Sequence, residues 1–154
     1  MNRSDFCAHA PEQGGVYALI LYQPHGDLKV RIGALGEVVF AQGHYCYVGS
    51  ARGGIRQRVT RHMRRTFERP HWHVDYLRRH TIPVGFLCWV GQRRGAECAL
   101  SRRVAGVAQD LVPRFGSSDC ACHTHLYYFQ TDPLDVLEGI RLLGMRRVGS
   151  AVHE

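Results

Sequence analysis

The chain has 154 residues, which is enough for one compact domain and too few for two independent ones. Its apolar fraction of 45% can fill a core, and an ordinary charged fraction of 21% excludes wholesale disorder. Lys and Arg number 20 and Asp and Glu number 13, so the net charge of +7 favours an anionic partner. Lys29 is the only lysine, and the guanidinium groups of the arginines suit bidentate phosphate contacts.

The start of the chain and its apolar runs bear on location. No run reaches the roughly 18 apolar residues of a membrane span, and residues 1–7 lack the apolar core of a signal peptide. We therefore expect a soluble, cytoplasmic protein without a membrane partner. Residues 1–13 are expected to form a loose leader before a single domain over residues 14–154. In the cytoplasm the six cysteines should be thiols or metal ligands.

The first half of the chain predicts four short strands. Residues 16–22 are rich enough in β-branched and aromatic residues for a buried strand, and residues 28–32 alternate as in a half-exposed one. Turns rich in Gly separate these from two further strands at 38–41 and 45–48. The short connections favour a small, mainly antiparallel sheet.

Helical periodicity follows Gly49. Apolar residues recur every four positions from Ile55 to Phe67 and predict one amphipathic helix, and a second helix is predicted over 73–79. A strand at 84–90, a helix from Ala96 to Leu111 and a last strand at 126–129 follow. A final helix is predicted from Pro133 to Gly144, since Asp-Pro is a favourable helix start. The fold class is α+β, a small mainly antiparallel sheet flanked by helices.

One predicted helix face carries a combination of groups suited to phosphate chemistry. Arg58 and His62 share this face because they are four residues apart. They offer a guanidinium for a phosphate and an imidazole that can exchange protons near neutral pH. The helix N-terminus adds free amide donors. Later in the chain, Glu97 suits a one-carboxylate Mg²⁺ site completed by water and phosphate oxygens.

Residues 15–17 (GVY) and 47–49 (YVG) resemble the two halves of the signature that names the GIY-YIG nuclease superfamily. That pattern continues with an Arg and a His four apart, matched by Arg58 and His62, and with a metal-binding Glu on a later helix, matched by Glu97. The resemblance covers roughly residues 14–129. Four runs look like one uncharacterised branch of this superfamily, a domain of unknown function that is also found fused to base-excision glycosylases. These runs are 45–62, 71–77, 97–98 and 115–120.

The chain departs from the superfamily pattern in two places. Tyr17 and Tyr47 are about twice as far apart as the superfamily's signature tyrosines, and residues 24–43 are interpreted as an inserted hairpin. The Asn that often follows the metal-binding Glu is not found at its place. Ser118 and Asp119 are the candidates to replace it.

The resemblance implies a metal-dependent endonuclease that hydrolyses DNA at a single-metal site, in repair or restriction-like cleavage, with structure selectivity or low sequence specificity. Tyr17 or Tyr47 would deprotonate the attacking water. Arg58 would stabilise charge on the phosphate, and His62 would position or relay a proton. Glu97 would hold Mg²⁺ or Mn²⁺. Single-stranded, branched or duplex DNA would be bound by Arg52, Arg61, Arg65, His71 and His73.

Simpler interpretations remain open for these residues. Tyr17 and Tyr47 could be core aromatics, and Trp72 is interpreted as a packing residue. The simplest interpretation of Arg61, Arg64 and Arg65 is a solvated helix face, on which Arg61 and Arg65 would lie one helical turn apart. The alternative function is a non-catalytic nucleic-acid-binding module that needs the arginines but not a catalytic carboxylate.

The segment 120–125 contains four metal-binding side chains. Cys120, Cys122, His123 and His125 could hold a structural Zn²⁺, which would favour a zinc-stabilised interaction protein. However, Cys-x-Cys lacks the two-residue spacing of zinc sites. We therefore expect Cys120 and Cys122 to be small core residues instead.

Overall fold

The computed structural model describes residues 9–152, with side chains up to Val148. Residues 1–8 of the predicted leader lie outside the described residues. Residues 9–13 lie against the start of the first helix, where the backbone N–H groups of Ile55 and Arg56 donate to the carbonyls of Gln13 and Pro11. This segment therefore accepts hydrogen bonds from a helix N-terminus, where amide groups lack partners within the helix.

Two antiparallel sheets contain all the strands within residues 9–152. The strands are β1 (Gly15–Gln23), β2 (Leu28–Arg31), β3 (Glu37–Phe40), β4 (Gly43–Ala51), β5 (Ile82–Val90), β6 (Asp110–Leu111), β7 (Leu126–Phe129) and β8 (Arg146–Val152). The main sheet has six strands in the order β6-β7-β4-β1-β5-β8. Strands β2 and β3 form the second sheet, joined through a 3₁₀ turn at Gly33–Leu35. The hairpin predicted within residues 24–43 is thus confirmed.

Four α-helices complete the described part of the chain. They are α1 (Ile55–His62), α2 (His73–Arg78), α3 (Ala96–Ala105) and α4 (Leu134–Glu138). The α+β class and the antiparallel sheet are confirmed. None of the helices found between residues 9 and 152 has the length and apolar character needed to cross a membrane.

The main sheet is covered on both faces, which explains why its central strands are apolar at nearly every position. Tyr17, Leu19 and Leu21 of β1 face a core shared with α1, α2 and the β2–β3 hairpin. Val16 and Ala18 face the opposite core, shared with α3 and α4. The sheet therefore separates α1 and α2 from α3 and α4.

The pairing of β1 with β4 brings the two GIY-YIG-like sequences side by side. Tyr17 lies opposite Gly49, and Gly15 lies opposite Ala51. On its other side Gly15 pairs with β5, where a Cβ atom would lie 2.1 Å from the carbonyl oxygen of Trp89. Only glycine fits a backbone approach this close.

The helix after β4 is shorter than predicted. It ends at His62, although the apolar periodicity continues to Phe67. Arg78, whose exposed fraction is only 1%, donates from Nε to the His62 carbonyl and from Nη2 to the Met63 carbonyl. A side chain from α2 thus caps the last carbonyls of α1, an interaction that the local pattern does not contain.

Two helix ends predicted in the second half of the chain are wrong, and two strands there were not predicted. The helix predicted to reach Leu111 ends at Ala105, and Leu111 lies in β6, because Tyr128 of β7 accepts a hydrogen bond from Gln109. The helix predicted to reach Gly144 ends at Glu138. The strand at 126–129 is confirmed but is not the last one, since β8 pairs with β5 at the sheet edge.

Candidate active site

A cleft of about 540 Å³ opens beside the end of β4. Its walls come from β4, α1, the start of α2, the first turn of α3 and the loop between β6 and β7. The lining residues are Tyr47, Ser50, Arg52, Gly53, Arg58, His71, Trp72, His73, Glu97, Gly116, Ser118 and Asp119. Of the five predicted catalytic residues, the cleft therefore contains Tyr47, Arg58 and Glu97 directly.

The other two predicted catalytic residues lie behind the cleft, hydrogen-bonded to each other. The Tyr17 hydroxyl is 2.6 Å from His62 Nε2, and the exposed fractions of the two residues are 0% and 1%. Burial raises the pKa of Tyr17 well above its usual value, and the nearby Tyr47 adds to this effect. Burial, together with the charge of Arg58, lowers the pKa of His62 to about 3. Both side chains are therefore uncharged at neutral pH.

The lowered pKa of His62 makes stability depend on pH. An unfolded histidine takes up a proton near pH 6.5, whereas the folded His62 does so only near pH 3. Between these values the unfolded state binds more protons, so His62 makes the folded state less stable as pH falls. We expect the free energy of unfolding to drop, relative to that of the His62→Gln variant, by about 1.4 kcal/mol per pH unit below 6.5. Urea denaturation of both proteins at pH 7, 6, 5 and 4 measures this difference, and parallel curves would contradict it.

Gly49 provides the space that the Tyr17 hydroxyl occupies. A Cβ atom on residue 49 would lie 2.4 Å from this hydroxyl oxygen and 2.5 Å from Cζ of the same ring. Because the Tyr17 ring is fully buried and packs against Phe86, it can move only by displacing its neighbours. Glycine at position 49 is thus required by the position of Tyr17 on the neighbouring strand.

We expect Gly49→Ala to lower the free energy of unfolding by about 1–3 kcal/mol, the usual cost of overpacking a core. The added methyl group should also push Tyr17 away from His62. Gly26→Ala is the matched control, because no atom lies within 4 Å of a Cβ at that position. Urea denaturation of both variants tests this, and equal stabilities would contradict it.

Tyr47 lies at the base of the cleft, between the buried pair and the opening. Its ring meets those of His62 and Phe115 edge to face, with centroids 5.8 Å and 6.3 Å apart. Burial raises the pKa of Tyr47, and the Glu97 carboxylate raises it further, whereas the positive charge of Arg58 opposes the shift. The hydroxyl is therefore protonated at neutral pH.

Arg58 is held in place by two contacts. Its Nη1 donates to the Ser50 carbonyl at 2.9 Å, and its guanidinium carbon lies 4.3 Å from the centre of the Trp72 ring. Arg61 contacts the same Trp72 ring, with its guanidinium carbon at 4.5 Å. Trp72 thus packs against the core, as predicted, and its ring also orients the Arg58 guanidinium at the cleft.

Asp75 is a site-supporting residue that the sequence reasoning missed. Its exposed fraction is 2%, and Oδ2 accepts hydrogen bonds from Arg61 Nη2 at 2.6 Å and from the backbone N–H groups of His71 and Trp72. Asp75 thereby ties the start of α2 to α1. An acidic residue three positions after Trp72 is the helix-capping signal that could have identified it.

The remaining residues predicted to bind nucleic acid are distributed around the cleft. His71 and Arg52 are exposed at its edge, and His73 Nδ1 accepts a hydrogen bond from the Gly116 N–H at 2.8 Å. Burial lowers the pKa of His73. Arg65 is exposed but lies beyond the end of α1, so the prediction that it sits one helical turn from Arg61 is wrong.

Glu97 occupies the first turn of α3 and lines the same cleft as Arg58. Its side chain is 32% exposed, and Oε1 lies 3.4 Å from His125 Nδ1. Burial lowers the pKa of His125, but the Glu97 carboxylate and Cys120 outweigh this effect, so that the pKa is raised. The cleft also contains Ser118 and Asp119, the two candidates for the missing Asn.

A cluster of possible metal ligands lies behind Glu97. The ligand atoms of Cys98, Cys120, Cys122 and His125 all lie within 4.8 Å of one another, so these residues could hold a metal ion. The ligand set predicted from the sequence is corrected in one position. His123 is exposed and outside the cluster, and Cys98 from α3 takes its place, while the cysteines at 120 and 122 are only partly buried.

Comparisons with known proteins give one match. The model of the family described as domain of unknown function DUF123 matches residues 16–142, which is most of the chain. The search of curated proteins found no match, and neither did the search of solved structures. The matched range contains β4, α1, α3 and all of β1 except Gly15, and with them every residue that lines the cleft. The chain belongs to the DUF123 family.

Proposed function

We propose that the protein is a metal-dependent endonuclease that hydrolyses phosphodiester bonds in DNA at a single-metal site of the GIY-YIG type. The observation that carries the proposal is the convergence of Tyr47, Arg58 and Glu97 on one cleft. These residues come from β4, α1 and α3, and only the tertiary structure brings them together. Phosphoryl chemistry needs a base, a cation and a metal ligand in one such place.

The donor set of the cleft fits Mg²⁺ or Mn²⁺. These ions bind one or two carboxylates and keep the rest of their shell for water and substrate phosphate. Glu97 supplies a partly exposed carboxylate, and Asp119 lines the same cleft. A bound ion would polarise the phosphate and stabilise the leaving oxygen.

Arg58 is suited to stabilise the negative charge that develops on the scissile phosphate. Its guanidinium is oriented in advance by the Ser50 carbonyl and the Trp72 ring, so little reorganisation is needed when substrate binds. Arg61, held by Asp75, contacts the same Trp72 ring. In this proposal Arg61 acts as a positioning residue for Arg58.

Tyr47 is our choice for the general base. It lines the cleft, whereas Tyr17 is fully buried and its hydroxyl is engaged by His62. The phenolate form of Tyr47 would take a proton from the attacking water as the new P–O bond forms and the bond to the leaving oxygen breaks. That oxygen would take a proton from solvent. In this proposal the buried hydrogen bond between Tyr17 and His62 fixes the position of α1, which carries Arg58, relative to β1.

This assignment predicts that cleavage depends on pH. Because the pKa of Tyr47 is raised, its phenolate form is scarce at neutral pH and becomes more abundant with each added pH unit. We expect the cleavage rate to rise about tenfold per pH unit between pH 7 and 9. Single-turnover cleavage rates measure this, with Tyr47→Phe as the inactive control. A rate that does not change with pH would contradict the assignment.

Binding to DNA would rely mainly on charge. The net charge of +7, the exposed Arg52 on the cleft lining and the exposed Arg64, Arg65 and Arg69 after α1 favour phosphate contacts. Such contacts carry no direct sequence information, so the protein should recognise the structure of the nucleic acid or show low sequence specificity.

The proposal is tested with labelled single-stranded, duplex, flap and branched DNA at low salt, in the presence of Mg²⁺ or Mn²⁺ and with a chelator as control. We expect endonucleolytic products from at least one substrate, and none in the chelator. DNA binding without cleavage of any substrate would overturn the nuclease proposal in favour of a non-catalytic binding module.

A further inference from the structure

The cluster behind the cleft joins two parts of the chain that are distant in sequence. Cys98 lies in the first turns of α3, whereas Cys120, Cys122 and His125 belong to the loop between β6 and β7. We propose that these four residues bind one Zn²⁺ ion in a closed, tetrahedral structural site. The site is separate from the proposed Mg²⁺ or Mn²⁺ site at Glu97 and does not depend on nuclease activity.

The chemistry of the ligand set favours zinc. Three thiolates and one imidazole are a common combination in structural zinc sites, and soft sulfur ligands disfavour Mg²⁺ and Ca²⁺. Zn–S bonds of about 2.3 Å in a tetrahedron place the sulfur atoms roughly 3.8 Å apart. The four ligand atoms lie within 4.8 Å of one another, and Cys120 Sγ is 3.3 Å from His125 Nε2. A contraction of about 1 Å therefore completes the coordination shell.

The surroundings of His125 support the same conclusion independently. Its Nδ1 lies 3.2 Å from the Val48 carbonyl oxygen, and because a carbonyl only accepts, Nδ1 must carry the proton. The lone pair is then on Nε2, which faces the cysteines. The Glu97 carboxylate lies 3.4 Å from the same Nδ1. Metal-binding histidines are typically oriented in this way, through a carbonyl or carboxylate on the second ring nitrogen.

The loop between β6 and β7 is long and forms part of the cleft wall. Residues 112–125 contain no helix or strand, and loops of this length are uncommon unless they are anchored or functional. The loop carries Ser118 and Asp119 on the cleft wall. A zinc ion would tie the loop to α3 and fix this wall relative to Glu97.

The other two cysteines in the described part of the chain do not join the cluster. Cys46 and Cys88 are fully buried in strands of the main sheet and lie outside the cluster. They behave as small apolar core residues, as free cysteines commonly do. The three cysteines of the cluster are only partly buried, and all three approach the same imidazole.

Elemental analysis of the full-length protein, purified without added metal or chelator, tests the site. We expect about one Zn²⁺ per chain in the wild type, and near-complete loss of zinc in Cys98→Ser and Cys122→Ser. His123→Ala and Cys88→Ala are the matched controls and should keep their zinc. A folded wild type without zinc, iron in its place, or loss of zinc in His123→Ala would overturn the proposal.

A second measurement covers the case in which the cysteine variants fail to fold. Zinc is removed from the wild type with a chelator under reducing conditions, and Co²⁺ is added back. We expect the intense visible absorption bands of tetrahedral Co²⁺ and a thiolate charge-transfer band, both displaced by one equivalent of Zn²⁺. Weak octahedral bands alone would contradict a site made of three thiolates. No DNA is used, so this result is independent of the nuclease assay.

Discussion

Glu97→Gln is expected to abolish metal-dependent DNA cleavage while leaving DNA binding intact. The substitution removes the charge that would hold Mg²⁺ or Mn²⁺ but keeps the size of the side chain. Loss of one preorganised electrostatic group at a reacting centre typically costs about 10²–10³ in rate, and we expect a loss at least this large. Single-turnover cleavage and gel-shift titrations of the same substrate measure the two properties separately.

The control for this variant is Glu37→Gln. Glu37 lies in β3 of the separate hairpin, where it pairs weakly with Lys29, and it is not one of the residues that line the cleft. Cleavage by this control should match that of the wild type. Zinc content should be measured in Glu97→Gln as well, because Glu97 also faces His125. Full activity of Glu97→Gln would remove the central residue from the nuclease proposal.

Asp75→Ala is expected to lower the free energy of unfolding by about 3 kcal/mol, near the lower end of the range for breaking a buried charged pair, since Arg61 remains partly exposed. The variant loses the Arg61 ion pair and both backbone hydrogen bonds at the start of α2. Trp72 should then no longer hold Arg58 at the cleft, so cleavage should fall as well. Urea denaturation and cleavage rates measure the two effects.

Asp27→Ala is the matched control for this prediction. Asp27 is exposed in the turn before β2, and replacing it should change stability by no more than about 0.5 kcal/mol. If Asp75→Ala were as stable as Asp27→Ala, the buried carboxylate would contribute little to the fold. The proposed connection from Asp75 through Arg61 and Trp72 to Arg58 would then be wrong.

Elements whose signal is local were predicted well. Alternating and β-branched residues identified β1, β4, β5 and β7, and the α+β class followed from their order. The start of α2 was also found. At the site, the sequence identified Tyr47, Arg58 and Glu97, all of which line the cleft. The spacing of these residues along the chain was enough to identify them, because each lies on a regular strand or helix.

Errors occurred where contacts between distant residues override the local pattern. The apolar periodicity continues past His62, but the buried Arg78 from α2 caps α1 there. Strand β8 has little signal of its own and exists through its pairing with β5. The metal-ligand set was wrong at one position because Cys98 is more than twenty residues from Cys120 in sequence, and no spacing rule connects them.

The amino-acid sequence by itself determined the fold class, the central strands of the main sheet, the family to which the chain belongs and the chemical types of residue at the cleft. These properties depend on hydrophobic period and on motifs, which are local. The tertiary structure alone decided that Tyr17 is buried against His62, that Asp75 positions the start of α2, and that Cys98 joins the cysteine–histidine cluster. Each of these depends on which elements pack together, and packing brings together residues that are far apart in the chain.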